Sequence, residues 1–325
     1  SKNTIYIADT GNHQIRRVDG TTGIISILAG TGAPGFGGDG GPAIAALLNA
    51  PTCISLDYTA QLLYIIDGGN NVVRRVDITT GFISLFAGIP GNPPGFVGDG
   101  GNALSATFSF GLGGNFIAID PVGNVFISDE NNNRVRAINI KNGFIDTVAG
   151  NGADGFGGDN ALASQASLDD PTGVALDGAG NLWVLDELNE RIRVVSILDS
   201  KISTAAGNGT SGFSGDGGPA VNAQVNFSNS QGNGPAGNFV GSGPGIIVNN
   251  VGDVFFSDNV NQRVRYISRV ANPTPVPGSP EALTAVQQTL AGNSAVSIGV
   301  FGISGTGIFA GSLNCPGRVS IGQAN

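Results

Sequence analysis

Two sets of charged residues recur along the 325-residue chain and could act together. Glycine-rich loops of the type G-F-x-G-D supply one aspartate each, and the motif D-x-x-N-x-x-[IV]-R supplies one arginine in each copy. The recurring residues are Asp39, Asp99, Asp159 and Asp216 in the loops, and Arg16, Arg74, Arg136 and Arg193 in the motif. A buried guanidinium requires an acceptor, and a carboxylate accepts two of its parallel N–H groups. We therefore predict that each of these arginines pairs with a loop aspartate, while the motif aspartate caps its own backbone.

The loop aspartates are also the best candidates for a metal site, because Ca²⁺ is bound by oxygen atoms alone. Each loop supplies one aspartate, however, and the spacing does not match an EF-hand loop. One carboxylate per loop supplies only a small part of the about six to eight oxygen ligands that Ca²⁺ takes. We predict no metal and no other cofactor, with calcium at Asp39, Asp99, Asp159 and Asp216 as the alternative.

Residue types that perform catalysis are scarce in this chain. His13 is the only histidine, and the other copies of its motif have Asn71, Asn133, Glu190 and Gln262 at that position. A zinc site usually requires several His or Cys ligands, and the G-x-S-x-G motif of a serine nucleophile is absent. We interpret His13 as an exposed turn residue, predict no catalytic residue and expect a protein that is not an enzyme.

Two further residue pairs are candidates for covalent modification. Cys53 and Cys315 are the only cysteines, and each lies at the entry to a predicted inner strand. They form either a disulfide, if their Cα atoms lie within about 7 Å, or two buried thiols. Asn208 and Asn226 begin N-x-[ST] triplets, which are acceptors for N-glycosylation in secreted proteins.

The elements that position these residues recur with the motifs. An apolar run such as L-Y-I-I precedes each D-x-x-N turn and is typical of a strand buried on both faces. A second strand contains the arginine, a third ends in A-G before the G-F-x-G-D loop, and a fourth follows the loop. Four short strands per unit, repeated five times, predict an all-β fold: a five-bladed β-propeller of four-stranded antiparallel blades.

The two ends of the chain are predicted to share one blade. The C-terminal run L-N-C-P-G-R-V-S-I matches L-N-A-P-T-C-I-S-L at the start of the second unit, and the chain begins at a second strand. We predict a single domain over residues 1–325, with blades at about 317–325 plus 1–30, 53–88, 115–150, 173–207 and 245–292. The alternative is a fragment of a longer repeat array.

Residues 259–325 contain no aspartate, so one arginine should lack a loop partner. If each arginine pairs with the loop that leaves its own blade, that residue is Arg265. If each pairs with the loop that arrives from the preceding blade, it is Arg16. The unpaired arginine should be exposed, or held by carbonyl groups or by its own turn aspartate.

These motifs resemble the NHL-repeat family. The resemblance rests on P-T-G-V-A-L-D at residues 171–177, on the strands that end in Asp, and on D-x-x-N-x-x-[IV]-R. The A-G…G-F-x-G-D-G-G segment is similar to the long-repeat type of bacterial surface proteins and teneurin-like adhesion proteins. The resemblance covers nearly the whole chain and implies a propeller. It does not specify an activity, since one fold serves many functions.

Composition narrows the choice of function. The net charge is −9, only 12% of residues are charged, and no basic run is present, so a nucleic-acid partner is not expected. No apolar run reaches the roughly 18 residues of a membrane span. We predict a non-catalytic extracellular or cell-surface module that binds other proteins or copies of itself, as part of a surface, adhesion or fibre protein. A carbohydrate-binding propeller that recognises glycans is the alternative, and a lactonase- or lyase-like enzyme ranks third.

Overall fold

The computed structural model describes residues 4–111, 114–227, 244–249 and 252–268. Its strands form five sheets, and strands that follow one another within a sheet pair in antiparallel fashion. The innermost strands of successive blades contact one another around a central channel. The prediction of an all-β five-bladed propeller is therefore confirmed.

The first two blades are built from seven strands. Blade 1 contains β1 (Ile5–Asp9), β2 (Gln14–Val18) and β3 (Ile25–Ala29); blade 2 contains β4 (Pro51–Asp57), β5 (Leu62–Asp67), β6 (Val72–Asp77) and β7 (Ile83–Ala87). In blade 2 the apolar run of β5 lies between two other strands and two neighbouring blades. Its residues Leu63, Tyr64, Ile65 and Ile66 are consequently all buried.

The other blades repeat this order. Blade 3 contains β9 (Ile117–Ile119), β10 (Val125–Asp129), β11 (Arg134–Ile138) and β12 (Phe144–Ala149), with the short β8 (Gly101–Asn102) at its outer edge. Blade 4 contains β13 (Pro171–Leu176), β14 (Leu182–Asp186), β15 (Arg191–Val195) and β16 (Ile202–Ala206). Blade 5 contains β17 (Ile246–Val248), β18 (Val254–Asp258) and β19 (Arg263–Ile267).

Short 3-10 helices occur at two places in the repeat. Three form part of the D-x-x-N turns, at Thr10–Asn12, Gly68–Asn70 and Glu130–Asn132. Four lie in the connections between blades, at Ala43–Ala45, Ala103–Ser105, Ala163–Gln165 and Ala220–Asn222. We call the side of the disc that contains the D-x-x-N turns the turn face.

The predicted closure of the ring by residues 319–321 lies outside the described residues. Closure and the alternative, a fragment of a longer repeat array, therefore both stay predictions. Blade 1 has three described strands, and β1 pairs with β2 alone among them. Ile5 and Ile7 of β1 are 47% and 37% exposed, unlike the equivalent residues of β5. The single-domain assignment over residues 1–325 stays a prediction.

Candidate functional site at the channel mouth

The recurring arginines connect neighbouring blades. Arg74, Arg136, Arg193 and Arg265 have completely buried side chains, and each pairs with the aspartate of the loop that arrives from the preceding blade. The N–O distances are 2.8 Å for Arg74–Asp39 and 2.7 Å for Arg136–Asp99, Arg193–Asp159 and Arg265–Asp216. Each pair therefore joins one blade to the connection from the blade before it.

Arg16 differs from the other arginines in having no described loop aspartate as its partner, which is the outcome predicted for pairing with the arriving loop. Its ion partner among the described residues is Asp9, the turn aspartate of its own blade, at 3.3 Å, and its side chain is 29% exposed. The reason is the direction of pairing: the four loop aspartates are used by the blades that follow them. The connection into blade 1 lies in the aspartate-free segment, outside the described residues.

The rest of the G-F-x-G-D loop also serves this pairing. The loop phenylalanine lies over the guanidinium, with Arg136 Cζ 4.6 Å from the Phe96 ring centre, and the Val97 carbonyl accepts an N–H from Arg136. The second loop glycine is required sterically. At Gly98, where φ is +101°, a Cβ atom would lie 2.7 Å from Cα of Ala106. The loop signature is thus architectural.

The turn aspartates do not cap their own turns, contrary to our expectation. Asp67 is fully buried and accepts the backbone N–H of Asn49 at 2.6 Å and the side-chain N–H of Asn70 at 2.8 Å. Its second oxygen lies 3.5 Å from Arg74. Burial raises the pKa of Asp67 to about 6 although these donors act to lower it. Asp129, Asp186 and Asp258 repeat the arrangement.

The calcium candidates are these same loop carboxylates. Asp39, Asp99, Asp159 and Asp216 each bind an arginine, so an ion at any of them would have to displace a buried guanidinium. Within the described ranges, no group of three or more His, Cys, Asp or Glu side chains is placed to hold a metal ion.

His13 is a contact between blades, and our interpretation of it as an exposed residue is wrong. It adopts a left-handed backbone conformation, with φ of 54°, and its half-buried ring accepts the Ala50 N–H at 3.0 Å through Nδ1. Asn71 and Asn133 accept N–H groups of the following blade in the same way, from Phe110 and Asp170. The position selects for a side-chain acceptor, which explains why His, Asn and Glu all occur there.

The candidate modification sites differ in accessibility. Cys53 is buried at the start of an inner strand; Cys315 lies outside the described residues, so their pairing stays a prediction. Asn208 is exposed, and its side-chain oxygen accepts the Thr210 N–H at 2.9 Å. Asn226 is half-buried, and its side-chain oxygen is enclosed.

The residues that line the described part of the central channel are apolar types, apart from Ser55. A cavity of about 70 Å³ lies between the inner strands of four blades, and Leu56, Phe116, Ile119, Val174 and Ile246 contribute to its wall. Each inner strand starts at the turn face, since Pro51 pairs with Asp67 and Pro171 with Asp186. The chemistry of the channel therefore changes at its turn-face end, where polar residues begin.

Two glutamates occupy that end of the channel. Glu130 and Glu187 are the second residues of the turns in blades 3 and 4, a position that faces the start of the inner strands. Thr10 shows this geometry in blade 1, where its hydroxyl donates to the Pro51 carbonyl at 2.8 Å. We define the acidic mouth as Glu130 and Glu187 together with Asn115 and Thr172, which begin the adjoining inner strands.

The carboxyl groups of the acidic mouth hold protons more tightly than usual. Burial raises the pKa of Glu130 to about 7, helped by the negative charge of Asp170, and the Gly111 N–H offsets part of the rise. Burial also raises the pKa of Glu187 to about 8, with further contributions from Glu130, Asp170 and Glu190. The charged groups that raise both values are carboxylates, so the mouth becomes negative as the pH rises through about 7 and 8.

A second acidic cluster lies beside the mouth. The acidic rim consists of Asp154, in the connection between blades 3 and 4, and of Asp169 and Asp170, which immediately precede β13. Burial raises the pKa of Asp169 and of Asp170, and in each case Asp154 adds to the rise. Asp154 is exposed and accepts the Asn133 side-chain N–H at 2.5 Å. The rim therefore extends the negative mouth onto the turn face.

Sequence reasoning missed both acidic groups. The sequence predictions rested on residues that repeat, whereas Glu130 aligns with Thr10, Gly68 and Asn259 at a variable turn position. A signal was present in the dipeptide D-E, which occurs in two adjacent copies of the turn. Blades that are adjacent in sequence are adjacent in the ring, so the two glutamates had to lie at one side of the channel.

Comparison with known proteins supports an NHL-repeat propeller. The chain is 24% identical over 273 residues to SUPPRESSOR OF QUENCHING 1, a chloroplastic protein of Arabidopsis thaliana, covering 82% of this chain and 24% of that protein. It is 28% identical over 233 residues to human NHL repeat-containing protein 2, covering 64% of this chain and 31% of that protein. The chain thus spans about a quarter to a third of the length of these relatives.

A solved structure has the same fold. It is a Bacteroides thetaiotaomicron protein of unknown function, which superposes with a TM-score of 0.51 at 18% identity over 82% of this chain and 66% of that one. No protein-family model matches the sequence. The long-repeat, teneurin-like subtype suggested by the G-F-x-G-D-G-G segment stays a prediction.

Proposed function

Because the chain is an NHL-repeat β-propeller, we propose that it is a non-catalytic interaction module whose turn face binds a protein with a basic surface. The observation that supports this proposal is the acidic rim, where three carboxylates lie together and the charge of Asp154 adds to the raised pKa of Asp169 and of Asp170. Charges of one sign on a protein surface attract and orient a partner of the opposite sign.

The other charged residues of the repeat have a structural use. The recurrent arginines are buried and paired with aspartates of the loops and turns, so they are not free to bind a partner. The acidic rim differs because its carboxylates face one another, and Asp154 is exposed. A partner with lysine or arginine side chains would relieve that repulsion.

An extracellular or cell-surface location is part of the proposal. The low proportion of charged residues, 12%, and the exposed acceptor triplet at Asn208 support it. In the part of the chain that the structure describes, no helix is both long and apolar enough to pass through a bilayer. The partner can be another protein or another part of an assembly that contains this chain.

The test uses a short lysine-rich peptide as a basic probe, with binding measured by fluorescence anisotropy at low and at physiological salt. We expect binding that weakens as salt increases, because exposed charges are screened. The variant D154N/D169N should bind the peptide several-fold more weakly. The control D19N/D77N removes the same charge from hairpin loops at the opposite face and should bind like the wild type.

Equal weakening by D19N/D77N would show that net charge, rather than the turn face, attracts the peptide, and would refute the proposal. A glycan array run on the same protein tests the carbohydrate-binding alternative. Specific glycan binding that survives D154N/D169N would favour that alternative over a basic protein partner.

A further inference from the structure

We propose that the acidic mouth binds a primary alkylammonium group, with the ammonium between Glu130 and Glu187 and the aliphatic chain along the central channel. The inference deepens the proposed function by assigning a ligand class to the centre of the turn face. The residues proposed to bind the ammonium, Glu130, Glu187 and Asn115, are not part of the acidic rim, so the two proposals can fail separately.

The first observation is a buried acceptor that lacks a donor. Glu130 is only 7% exposed, and no described residue donates a hydrogen bond to its Oε2 atom. Asn115, which is 1% exposed, uses its side-chain N–H on the Gly111 carbonyl, while its Oδ1 atom has no donor among the described residues. Buried polar atoms are rarely left without a partner. Both atoms are acceptors, so the missing group is a donor.

The second observation is the charge around the mouth. Glu130 faces Asp170 and Glu187, and Glu187 also faces Glu190. Glu190 itself is engaged, because its oxygens accept hydrogen bonds from Ser211 and from the Phe227 N–H. Once ionised, Glu130 and Glu187 repel each other, and the other charges that act on them are also those of carboxylates. An ammonium group would remove that repulsion and donate a hydrogen bond to Oε2 of Glu130.

The third observation is the set of apolar side chains that line the cavity further along the inner strands. Phe116 follows Asn115 in the chain and belongs to the channel wall, together with Val174 and Ile246. A ligand with one charged end and one apolar end fits this change of surface, because its aliphatic part leaves water as its charged part pairs. A hydrated metal ion would gain nothing from the apolar wall.

The shape of the ammonium group also matches the acceptors. A primary ammonium has three N–H donors on a compact centre, so it can bond to both glutamates and to the Asn115 oxygen at once. The ligand can be a free amine or the amino terminus of a peptide with an apolar first side chain.

The experiment is calorimetric titration of the full chain with ethyl-, propyl- and butylammonium chloride at a pH above 8. Affinity should increase about fourfold with each added methylene, as expected for burial of an aliphatic chain. E130Q/E187Q should weaken butylammonium binding at least tenfold. D199N, which removes an exposed charge from the hairpin loop after β15, should bind like the wild type.

A second variant covers the case in which E130Q/E187Q fails to fold. A118L narrows the channel without changing the mouth, so it should weaken butylammonium binding more than methylammonium binding. Affinity should also decrease as pH falls through 8 and 7, because protonated glutamates cannot pair with an ammonium. These two measurements separate a site in the channel from general attraction of cations.

Three results would overturn the inference: no dependence on chain length, no effect of E130Q/E187Q on a folded protein, or displacement of butylammonium by equimolar Ca²⁺. If the lysine-rich peptide binds at the rim while butylammonium does not bind, only this inference fails. If butylammonium binds as expected and the peptide does not, only the proposed function fails.

Discussion

The burial difference between Arg136 and Arg16 predicts a large difference in their contributions to stability. Arg136 is completely buried and binds Asp99 at 2.7 Å and Asp129 at 3.3 Å. Arg16 has the same place in its blade, but its side chain is 29% exposed and its described ion partner is Asp9 alone, at 3.3 Å. Replacement of each arginine by methionine compares the two sites within one protein.

R136M leaves the fully buried carboxylate of Asp129 without its positive partner. Loss of one member of a buried ion pair typically costs about 3–5 kcal/mol, mostly because the remaining charge stays buried. R16M removes a partly exposed pair, for which the usual contribution is about 0–1 kcal/mol. We therefore expect R136M to lower the free energy of unfolding by several times as much as R16M.

Urea unfolding at neutral pH, followed by circular dichroism, measures the two changes from the midpoint and slope of each transition. The double variant R136M/D129N is the decisive control. Because it removes the stranded charge together with its partner, it should recover part of the stability that R136M loses. Equal losses for R136M and R16M, or no recovery in R136M/D129N, would refute the assignment of Arg136 to a buried ion pair that stabilises the fold.

Two further predictions concern the turn face. The free energy of unfolding should decrease as pH rises from about 5 to 8, since Glu130 and Glu187 have folded-state pKa values of about 7 and 8, above those of the unfolded chain. E130Q should remove up to about 3 kcal/mol of that pH dependence, and an unchanged slope in urea titrations would contradict it. N133A should lower the free energy of unfolding by about 1–3 kcal/mol, because the Asp170 N–H loses its acceptor. An exposed control, N142A, should cost much less in the same assay, and equal losses would contradict a contact between blades.

The repeated residues were sufficient to predict the architecture. Strands buried on both faces, turns of the D-x-x-N type and a recurring arginine can be recognised from local sequence, because the same structural environment recurs in each repeat. The need of a buried guanidinium for a carboxylate follows from chemistry alone, so a loop aspartate could be predicted as one partner of each of Arg74, Arg136 and Arg193.

The direction of the pairing could not be predicted in this way. Whether an arginine meets the loop that leaves its blade or the one that arrives depends on how neighbouring blades are placed, and both choices satisfy the same chemistry. The structure places the arriving loop over Arg74, Arg136, Arg193 and Arg265, so that Arg265 is paired with Asp216, while the described ion partner of Arg16 is Asp9. The role of the turn aspartate was missed for the same reason, since its donors come from distant parts of the chain.

The sequence alone determined which residues serve the repeated architecture, because a residue that recurs in each unit meets the same local structural requirement each time. The candidate site was decided by tertiary structure, because it consists of residues that do not repeat. Glu130 and Glu187 hold a variable position of the turn, Asp154 and Asp170 lie outside the repeated motifs, and the four residues meet where blades 3 and 4 adjoin at the turn face. The raised pKa values of Glu130, Asp170 and Glu187 come mainly from burial, and burial is a property of the assembled ring rather than of any one segment.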